Sequence, residues 1–290
     1  MNIQSLSVVV PSDSCINNCK FCVSKMRDKE YENMLVIDNI YSHLYEKDYK
    51  ERLEFARDNG CNTVMLTGQC EPQQNMSFLK TFGPLNRNLS NPFKVIEMQT
   101  TGVLLDNDYL YFLRHHVGVK TISLSISSFS DVENAEIVGM PEGKEVELKK
   151  LCKAIKKYRF NLRLSINLTD SFDEYSSEDI FTYCKEVLLA DQVTFRVLFA
   201  EGSTDEAKWV EENSADEKGI VRDIINYTLV EGEPLERLEY GQIRYSVNGI
   251  STVLDDDCMA DAIKESIKYL ILRENCKLYT KWNDKGSLLF

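Results

Sequence analysis

Three cysteines near the start of the chain have the spacing of a metal-binding loop. Cys15, Cys19 and Cys22 are separated by three and by two residues, directly after the apolar run 6–10. Cysteine thiolates are the usual ligands of iron–sulfur clusters. A cluster of four irons that takes three thiolates keeps one iron without a protein ligand, so a small molecule can bind there. The triplet therefore predicts a 4Fe-4S site that is open to a cofactor or substrate.

Two other interpretations of the triplet are open at this point. Positions i, i+4 and i+7 also lie on one stripe of a helix, and cysteine packs well in cores. Zinc usually needs a fourth ligand in a paired spacing, and the sequence has no further CxxC or HxxxH pair. The residues that favour a loop over a helix are Pro11, Ser12, Asp13, Asn17 and Asn18. A zinc-stabilised binding module, which would not be an enzyme, is the functional alternative.

An alternating series of strands and helices must position this loop. Short apolar runs predict strands at 6–10, 63–66, 94–99, 121–126, 162–167 and 192–198. Helical spacing occupies 38–58, 76–89, 106–116, 146–158 and 178–189. Six β/α units indicate a parallel sheet and are too few for a closed eight-stranded barrel. The predicted fold class is α/β, a partial (β/α)6 TIM-like barrel over 1–200 with its site at the carboxyl ends of the strands.

The cysteine loop resembles the signature of the radical S-adenosylmethionine (AdoMet) superfamily. That signature is CxxxCxxC after the first strand with an aromatic residue before the last cysteine, here Phe21. The resemblance implies that the open iron binds the amine and carboxylate of AdoMet and that Phe21 lies near the adenine. It also implies cleavage of AdoMet to a 5′-deoxyadenosyl radical, which abstracts hydrogen from a substrate. An electron donor such as flavodoxin or ferredoxin is the partner that such a reaction requires.

Polar residues at the ends of later strands resemble further parts of the family pattern. Gly68-Gln69-Cys70-Glu71-Pro72 is similar to the family's GGEP motif, although Gln69 and Cys70 depart from it. The resemblance implies that this turn receives the methionyl ammonium, and we expect Cys70 to be a packing residue or a pocket wall. Alternating serines place hydroxyls on one face of a strand, and arginine pairs with carboxylates. The other expected AdoMet contacts are Thr101, Ser125, Ser127, Asn167 and Arg196.

Residues 201–290 predict an α+β extension that covers the open side of the barrel. An acidic helical stretch at 205–230 precedes two alternating runs, 242–247 and 250–254, which are joined by the hairpin signal Asn248-Gly249. Carboxylates and aromatic rings in this part could bind a cationic or amidine-bearing substrate. The candidates are Glu201, Tyr240, Asp255, Asp256, Asp257 and Trp282.

The composition limits the partners that we expect. A formal net charge of −12 disfavours nucleic acid, because such binding depends on Lys and Arg at phosphates. The first ten residues do not read as a signal peptide, and no apolar stretch approaches the roughly 20 residues of a membrane span. The cysteines after Cys70 stand singly, which disfavours a second cluster. We therefore expect a cytoplasmic enzyme that acts on a small molecule, without a membrane or nucleic-acid partner.

The compact layout and the tail also resemble the 7-deazaguanine branch of the family, and queuine lyase in particular. This resemblance implies cleavage of a C–N bond in queuine with release of 7-aminomethyl-7-deazaguanine (preQ1). Queuine carries a protonatable amine and a guanine-like face, and both suit carboxylates. The alternative within the same family is maturation of a ribosomal peptide with a separate leader-binding partner.

Overall fold

One sheet organises the chain in the computed structural model, which describes residues 2–26, 46–238, 242–255, 266–282 and 285–289. Its strands are β1 (Asn2–Val9), β2 (Thr63–Thr67), β3 (Val95–Thr100), β4 (Thr121–Ile126), β5 (Asn161–Leu168), β6 (Gln192–Val197), β7 (Glu233–Arg237), β8 (Ile243–Val247), β9 (Ile250–Asp255), β10 (Ser266–Leu272) and β11 (Leu278–Tyr279). Their spatial order is β11-β10-β1-β2-β3-β4-β5-β6-β9-β8-β7. The neighbours from β10 through to β9 are parallel, whereas β11, β8 and β7 are antiparallel to theirs.

The helices are α1 (Glu46–Asp58), α2 (Met76–Arg87), α3 (Asn107–Phe112), α4 (Asp131–Val138), α5 (Leu148–Lys157), α6 (Ser177–Thr182), α7 (Asp205–Asn213) and α8 (Arg222–Glu231). All of them except α4 and α7 contribute side chains to an apolar core on one face of the sheet, whereas α4 and α7 pack beside the loop that follows β1. In α5 the buried residues Leu148, Leu151, Cys152 and Ile155 follow the helical repeat, and they join the strand side chains in one apolar core. Cys152 is therefore a core residue, and Cys61, Cys184 and Cys276 are buried as well.

The two faces of the sheet differ in polarity because side chains alternate along each strand. On β4, Ile122, Leu124 and Ile126 belong to the apolar core. Ser123 and Ser125 point the other way and line a cavity on the opposite face. The sheet thus has an apolar face that the helices cover and a polar face that borders an interior space, which we call the lumen.

The expected partial α/β barrel is confirmed, but the number of parallel strands is larger than expected. The C-terminal strand β9 pairs with β6, and β10 pairs with β1, so the extension adds a parallel strand to each edge. The alternating run 250–254 predicts a strand without indicating which distant strand it joins, and β10 is not predicted from the sequence. Among the described strands, β11 and β7 end the sheet without pairing with each other, so the barrel is open. The division into domains at residue 200 stays a prediction.

Two further expectations for helices and turns can be compared with the structure. The acidic stretch 205–230 is not one helix, because Asp216 caps a new helical segment and Gly219 is non-helical within it. Asn248 and Gly249 both have positive φ, at 52° and 78°, and they connect β8 to β9 as the expected hairpin. Helix α1 begins at Glu46, and residues 27–45 lie outside the described residues. Within the described ranges, no helix is both long and apolar enough to cross a membrane.

Candidate active site

A cavity of about 670 Å³ fills the lumen. Its wall includes side chains from the parallel strands, together with Cys19, Phe21 and Cys22 from the loop after β1. This volume falls in the range of about 300–1,000 Å³ that is typical of small-molecule sites. The cavity therefore joins the cysteine loop to the polar face of the sheet.

The cysteine loop is an extended segment that packs on the end of α4. The backbone N–H of Asn18 donates to the carbonyl of Gly139, and that of Lys20 donates to the carbonyl of Ile137, both at 3.0 Å. On the other side of the loop, the side-chain oxygen of Gln74 accepts a hydrogen bond from the backbone N–H of Ile16 at 2.9 Å. Because residues 15–22 are not helical, the interpretation of the triplet as a buried helical stripe is wrong.

The three thiols of the triplet lie close enough to influence one another electrostatically. A hydrogen bond with the Cys70 thiol lowers the pKa of Cys15 to about 6. Burial raises the pKa of Cys19, and the charges of Cys22 and Cys15 raise it further. Cys15 is exposed, whereas Cys19 and Cys22 are half-buried and face the cavity. Negative charge on Cys15 and Cys22 thus disfavours ionisation of the Cys19 thiol between them.

The donor set fits a 4Fe-4S cluster. A four-iron cube takes each thiolate on a different iron, whereas zinc requires its ligands to converge on one ion. Cys15, Cys19 and Cys22 would hold the cluster, and Cys70 lies beside them with its Sγ 3.9 Å from the carbonyl oxygen of Ser12.

Glu71 is the most densely bonded carboxylate in this part of the molecule. Its Oε1 accepts from the Thr101 backbone N–H at 2.9 Å, from the Thr101 hydroxyl at 2.6 Å and from Asn17 Nδ2 at 3.2 Å. Its Oε2 accepts from the Thr100 hydroxyl at 2.7 Å. Burial raises the pKa of Glu71, although these hydrogen bonds act in the opposite direction. A carboxylate that is buried and fixed at a cavity wall can receive an ammonium group.

The turn that carries Glu71 begins with Gly68, where the surrounding backbone leaves little space for a side chain. A Cβ on Gly68 would lie 3.0 Å from the carbonyl oxygen of Cys70 and 3.2 Å from that of Val10.

Gln69 lines the cavity, and its Nε2 has no hydrogen-bond partner among the described residues. Asn17 is a site residue that the sequence did not single out, and its position between two cluster cysteines was the available signal.

The predicted residues on β4 to β6 are only partly brought together at the cavity. Asn167 Nδ2 donates to the hydroxyls of Ser125 at 3.0 Å and Ser127 at 3.1 Å. Asn167 and Ser125 line the cavity, but Ser127 is fully buried behind them and does not reach it. Arg196 lines the cavity too, and its buried Nε has no partner among the described residues.

Phe21 lies in the wall of the cavity, and its predicted contact with the adenine stays a prediction. It packs on Trp209 of α7, with ring centroids 6.3 Å apart. Trp209 is a supporting residue that the sequence did not reveal. The structure therefore gives Phe21 a fixed orientation beside the cysteine loop.

The residues that were predicted to contact substrate have different outcomes. Trp282 lines the cavity next to Tyr269. Glu201 is exposed and does not line it. Asp255 ends β9 and pairs in register with Arg196 of β6. Tyr240, Asp256 and Asp257 lie outside the described residues.

Comparisons with solved structures find similar proteins, and the two below with TM-scores above 0.5 share the fold. SuiB of Streptococcus suis bound to S-adenosylmethionine is 20% identical over 68% of this chain and 40% of SuiB, with a TM-score of 0.46. SuiB bound to its precursor peptide SuiA is 14% identical over 96% of this chain and 59% of SuiB, with a TM-score of 0.53. Native anSMEcpe with bound AdoMet is 14% identical over 99% of this chain and 77% of that protein, with a TM-score of 0.58. The chain thus spans less than two thirds of the length of SuiB.

The sequence itself assigns the family. No curated protein matches it. The profile of the Radical SAM superfamily matches residues 9–181, which is more than half of the chain and includes the cysteine loop, Glu71 and Asn167. The protein therefore belongs to the radical SAM superfamily, whose cofactors are a 4Fe-4S cluster and AdoMet.

Proposed function

We propose that the protein abstracts hydrogen from a small molecule in the lumen, and that this molecule is queuine. Loss of a hydrogen atom from the hydroxyl-bearing carbon beside the C–N bond would let that bond break, and the amine would take the hydroxyl proton and leave as 7-aminomethyl-7-deazaguanine. The remaining ring radical would take one electron from the electron donor and one proton, and it would leave as a hydroxycyclopentenone. The observation that carries the proposal is the polar lumen of about 670 Å³, which extends from the cysteine loop to the opposite ends of the strands. A volume of this size suits AdoMet together with a second small molecule, and not a folded macromolecule.

Different residues at the carboxyl ends of the strands are assigned to the cluster and to AdoMet. When bound, the cluster and AdoMet supply an electron and a primary carbon radical, respectively. Cys15, Cys19 and Cys22 hold the cluster, and Glu71 receives the methionyl ammonium. Arg196 is placed to pair with a carboxylate through its Nε, which has no hydrogen-bond partner in the part of the chain that the structure describes. We assign Phe21 to the adenine and Gln69, Thr101, Ser125, Asn167 and Gly68 to the remaining polar contacts.

The charge balance of the lumen supports a substrate without a large net charge. The carboxylates Glu71, Glu97 and Glu236 face the cavity together with Arg163, Arg196 and Arg244. Glu97 pairs with Arg163 at 2.6 Å and Glu236 pairs with Arg244 at 3.2 Å. After Glu71 and Arg196 are assigned to AdoMet, the rest of the wall is neutral overall as far as the structure describes it. Hydrogen-bonding groups and shape must then select the substrate.

A second candidate function is maturation of a ribosomal peptide with a separate leader-binding partner. It is favoured by the fold shared with SuiB, which has been solved with its precursor peptide SuiA. The exposed edge strand β7 offers one position at which an extended peptide could add to the sheet. In either case we propose a cytoplasmic protein that receives its electron from a flavodoxin or ferredoxin, since reduced thiols persist in the cytosol.

The two candidates can be separated by coupling AdoMet cleavage to each substrate. Anaerobically reconstituted protein is given AdoMet and a reductant, and 5′-deoxyadenosine is measured with queuine, with a precursor peptide encoded beside the gene, and with neither. Faster 5′-deoxyadenosine formation with queuine, together with 7-aminomethyl-7-deazaguanine as product, supports the lyase. A rate that queuine does not change rejects it, and stimulation by the peptide favours the maturase. Bound zinc in place of iron and sulfide would reject both.

A further inference from the structure

A chain of polar side chains lies in the lumen at the end away from the cysteine loop. Arg163 Nη1 on β5 donates to Glu97 Oε2 on β3 at 2.6 Å. Arg163 Nε donates to Gln192 Oε1 on β6 at 2.9 Å. All three residues line the cavity, and no part of the cofactor assignment uses them.

Glu97 is buried to an extent that is unusual for a carboxylate. The residue is 1% exposed, and its Oε1 has no hydrogen-bond partner among the described residues. Leaving a buried acceptor unpaired is costly, and an ion pair that served stability alone would be expected to satisfy both oxygens. An unpaired oxygen in a cavity wall is instead expected where a ligand supplies the missing donor.

We propose that Glu97 and Arg163 form a substrate-recognition subsite for a lactam edge, in which an N–H lies directly beside a carbonyl. This inference rests on the proposed function, since it assumes a small molecule in the lumen. Glu97 Oε1 accepts the N–H. The guanidinium has five N–H donors, and two are used in the contacts described above, so others can donate to the carbonyl.

The charge of the pair distinguishes between substrate classes. Glu97 alone would attract an ammonium group, but the guanidinium of Arg163 at 2.6 Å offsets that attraction. The neutral pair therefore prefers a neutral edge that presents both a donor and an acceptor. A trans peptide bond directs its N–H and its carbonyl to opposite sides, so a peptide backbone does not offer this edge. A cyclic amide, such as the 2-aminopyrimidinone ring of a 7-deazaguanine, does.

The position of the subsite sets the length of the substrate. Glu97 lies four residues before Thr101 on the chain. At roughly 3.3 Å per residue, the two residues are therefore about 13 Å apart along the direction of β3. Thr101 fixes Glu71, which marks the level of the methionyl ammonium. Between the two levels the wall carries the small side chains of Ser123, Ser125 and Ser165. A flat heterocycle bound at Glu97 thus has room to direct an attached group toward the cofactor end.

The test measures binding to the full, reconstituted protein with AdoMet present. The probes are 7-aminomethyl-7-deazaguanine and guanine, each compared with its N1-methyl counterpart, in which the lactam N–H is blocked. We expect wild type to bind at least one parent probe and to bind its N1-methyl counterpart about tenfold more weakly or worse, because a hydrogen bond to a charged acceptor is lost. Equal binding of parent and N1-methyl probes, or no binding of either parent, would overturn the proposal.

Variants then assign the effect to Glu97. Glu97→Gln should weaken parent-probe binding by about tenfold and abolish discrimination against the N1-methyl probe. Its AdoMet affinity should not change, which also shows that the variant is folded. Glu236→Gln is the matched control, because Glu236 lines the same cavity and pairs with Arg244 but is exposed. Parent binding by Glu97→Gln that equals wild type would reject the subsite.

The outcomes for the subsite and for the proposed function can be told apart. If guanine binding depends on Glu97 but queuine does not stimulate AdoMet cleavage, the lyase proposal fails and the subsite stands. If queuine stimulates cleavage equally in wild type and Glu97→Gln, the lyase proposal stands and the subsite fails.

Discussion

Glu71 accepts two hydrogen bonds from the single residue Thr101, at 2.9 Å from its backbone N–H and at 2.6 Å from its hydroxyl. The pair joins the turn after β2 to the end of β3. Asn17 donates to Glu71 Oε1 at 3.2 Å and to the Thr101 hydroxyl oxygen at 2.9 Å, so the cysteine loop belongs to the same network. The proposed cluster ligands and the proposed acceptor for the methionyl ammonium are therefore positioned by one set of contacts.

Glu71→Gln should weaken AdoMet binding by about 10- to 100-fold, since a hydrogen bond to a charged group contributes roughly 1.5–3 kcal/mol. Burial raises the pKa of Glu71, so the carboxyl takes up a proton at a higher pH than an ordinary glutamate. Wild-type affinity should then fall as the pH is lowered through this raised pKa, whereas the affinity of Glu71→Gln should lose that dependence. AdoMet dissociation constants measured across pH test both expectations.

The same substitution should change how the stability of the protein without AdoMet depends on pH. A protein with a carboxyl whose pKa is higher in the folded than in the unfolded state loses stability as the pH rises through the folded-state pKa. Wild type should therefore lose more stability than Glu71→Gln as the pH is raised from 5 to 8, which thermal unfolding at both pH values measures. Glu211→Gln, an exposed change on α7, is the control for altered net charge. Unchanged AdoMet affinity in Glu71→Gln would contradict the assignment of Glu71 to the methionyl ammonium.

The three-thiol assignment predicts how the cysteine variants differ. Cys15→Ala, Cys19→Ala and Cys22→Ala should each lose most of the bound iron and sulfide after reconstitution. Cys70→Ala should keep the cluster, because Cys70 contacts the loop through Cys15 and Ser12 without being required as a ligand. Iron and sulfide per chain, with the brown colour as a quick readout, provide the measurement. Iron loss in Cys70→Ala as complete as in Cys15→Ala would indicate a fourth ligand.

Arg196→Gln should weaken AdoMet binding by about tenfold or more. The buried Nε has no partner within the described ranges, and we propose that it pairs with a carboxylate. The register with Asn167 on β5 sets its height at the cofactor end of the lumen. Equilibrium binding of AdoMet provides the measurement, and Arg222→Gln on the exposed side of α8 is the control. Equal affinity in the two variants would remove Arg196 from the AdoMet site.

The parts of the site that the sequence predicts are those with a local signal. The loop of Cys15, Cys19 and Cys22 and the turn of Gly68 and Glu71 occupy contiguous segments whose residue types imply their chemistry. Strand alternation also predicts the hydroxyl of Ser125 on the lumen face, as the structure has it. Local periodicity is sufficient here because each feature depends on one strand or one turn.

The features that the sequence could not predict depend on contacts between distant segments. Glu97 and Arg163 are 66 residues apart and meet only because β3 and β5 flank β4. Ser127 follows the alternation of β4 but lies beyond the last residue of that strand, where Asn167 covers it. The parallel pairing of β10 with β1 likewise joins the two ends of the chain, and no local pattern encodes that partnership.

Gly139→Ala should impair cluster retention through the packing of the cysteine loop on α4. Gly139 has a φ of 62°, and a Cβ there would lie 2.5 Å from the carbonyl oxygen of Asn18, between two cluster cysteines. Gly143→Ala is a matched control, because Gly143 also has a positive φ, 75°, but no atom within 4 Å of a Cβ. Both variants should lose about 1 kcal/mol of stability from the left-handed backbone conformation. Only Gly139→Ala should also lose iron on reconstitution, because the cysteine loop must shift away from the new methyl group. Equal iron content in both variants would show that the contact between Gly139 and Asn18 does not position the cluster ligands.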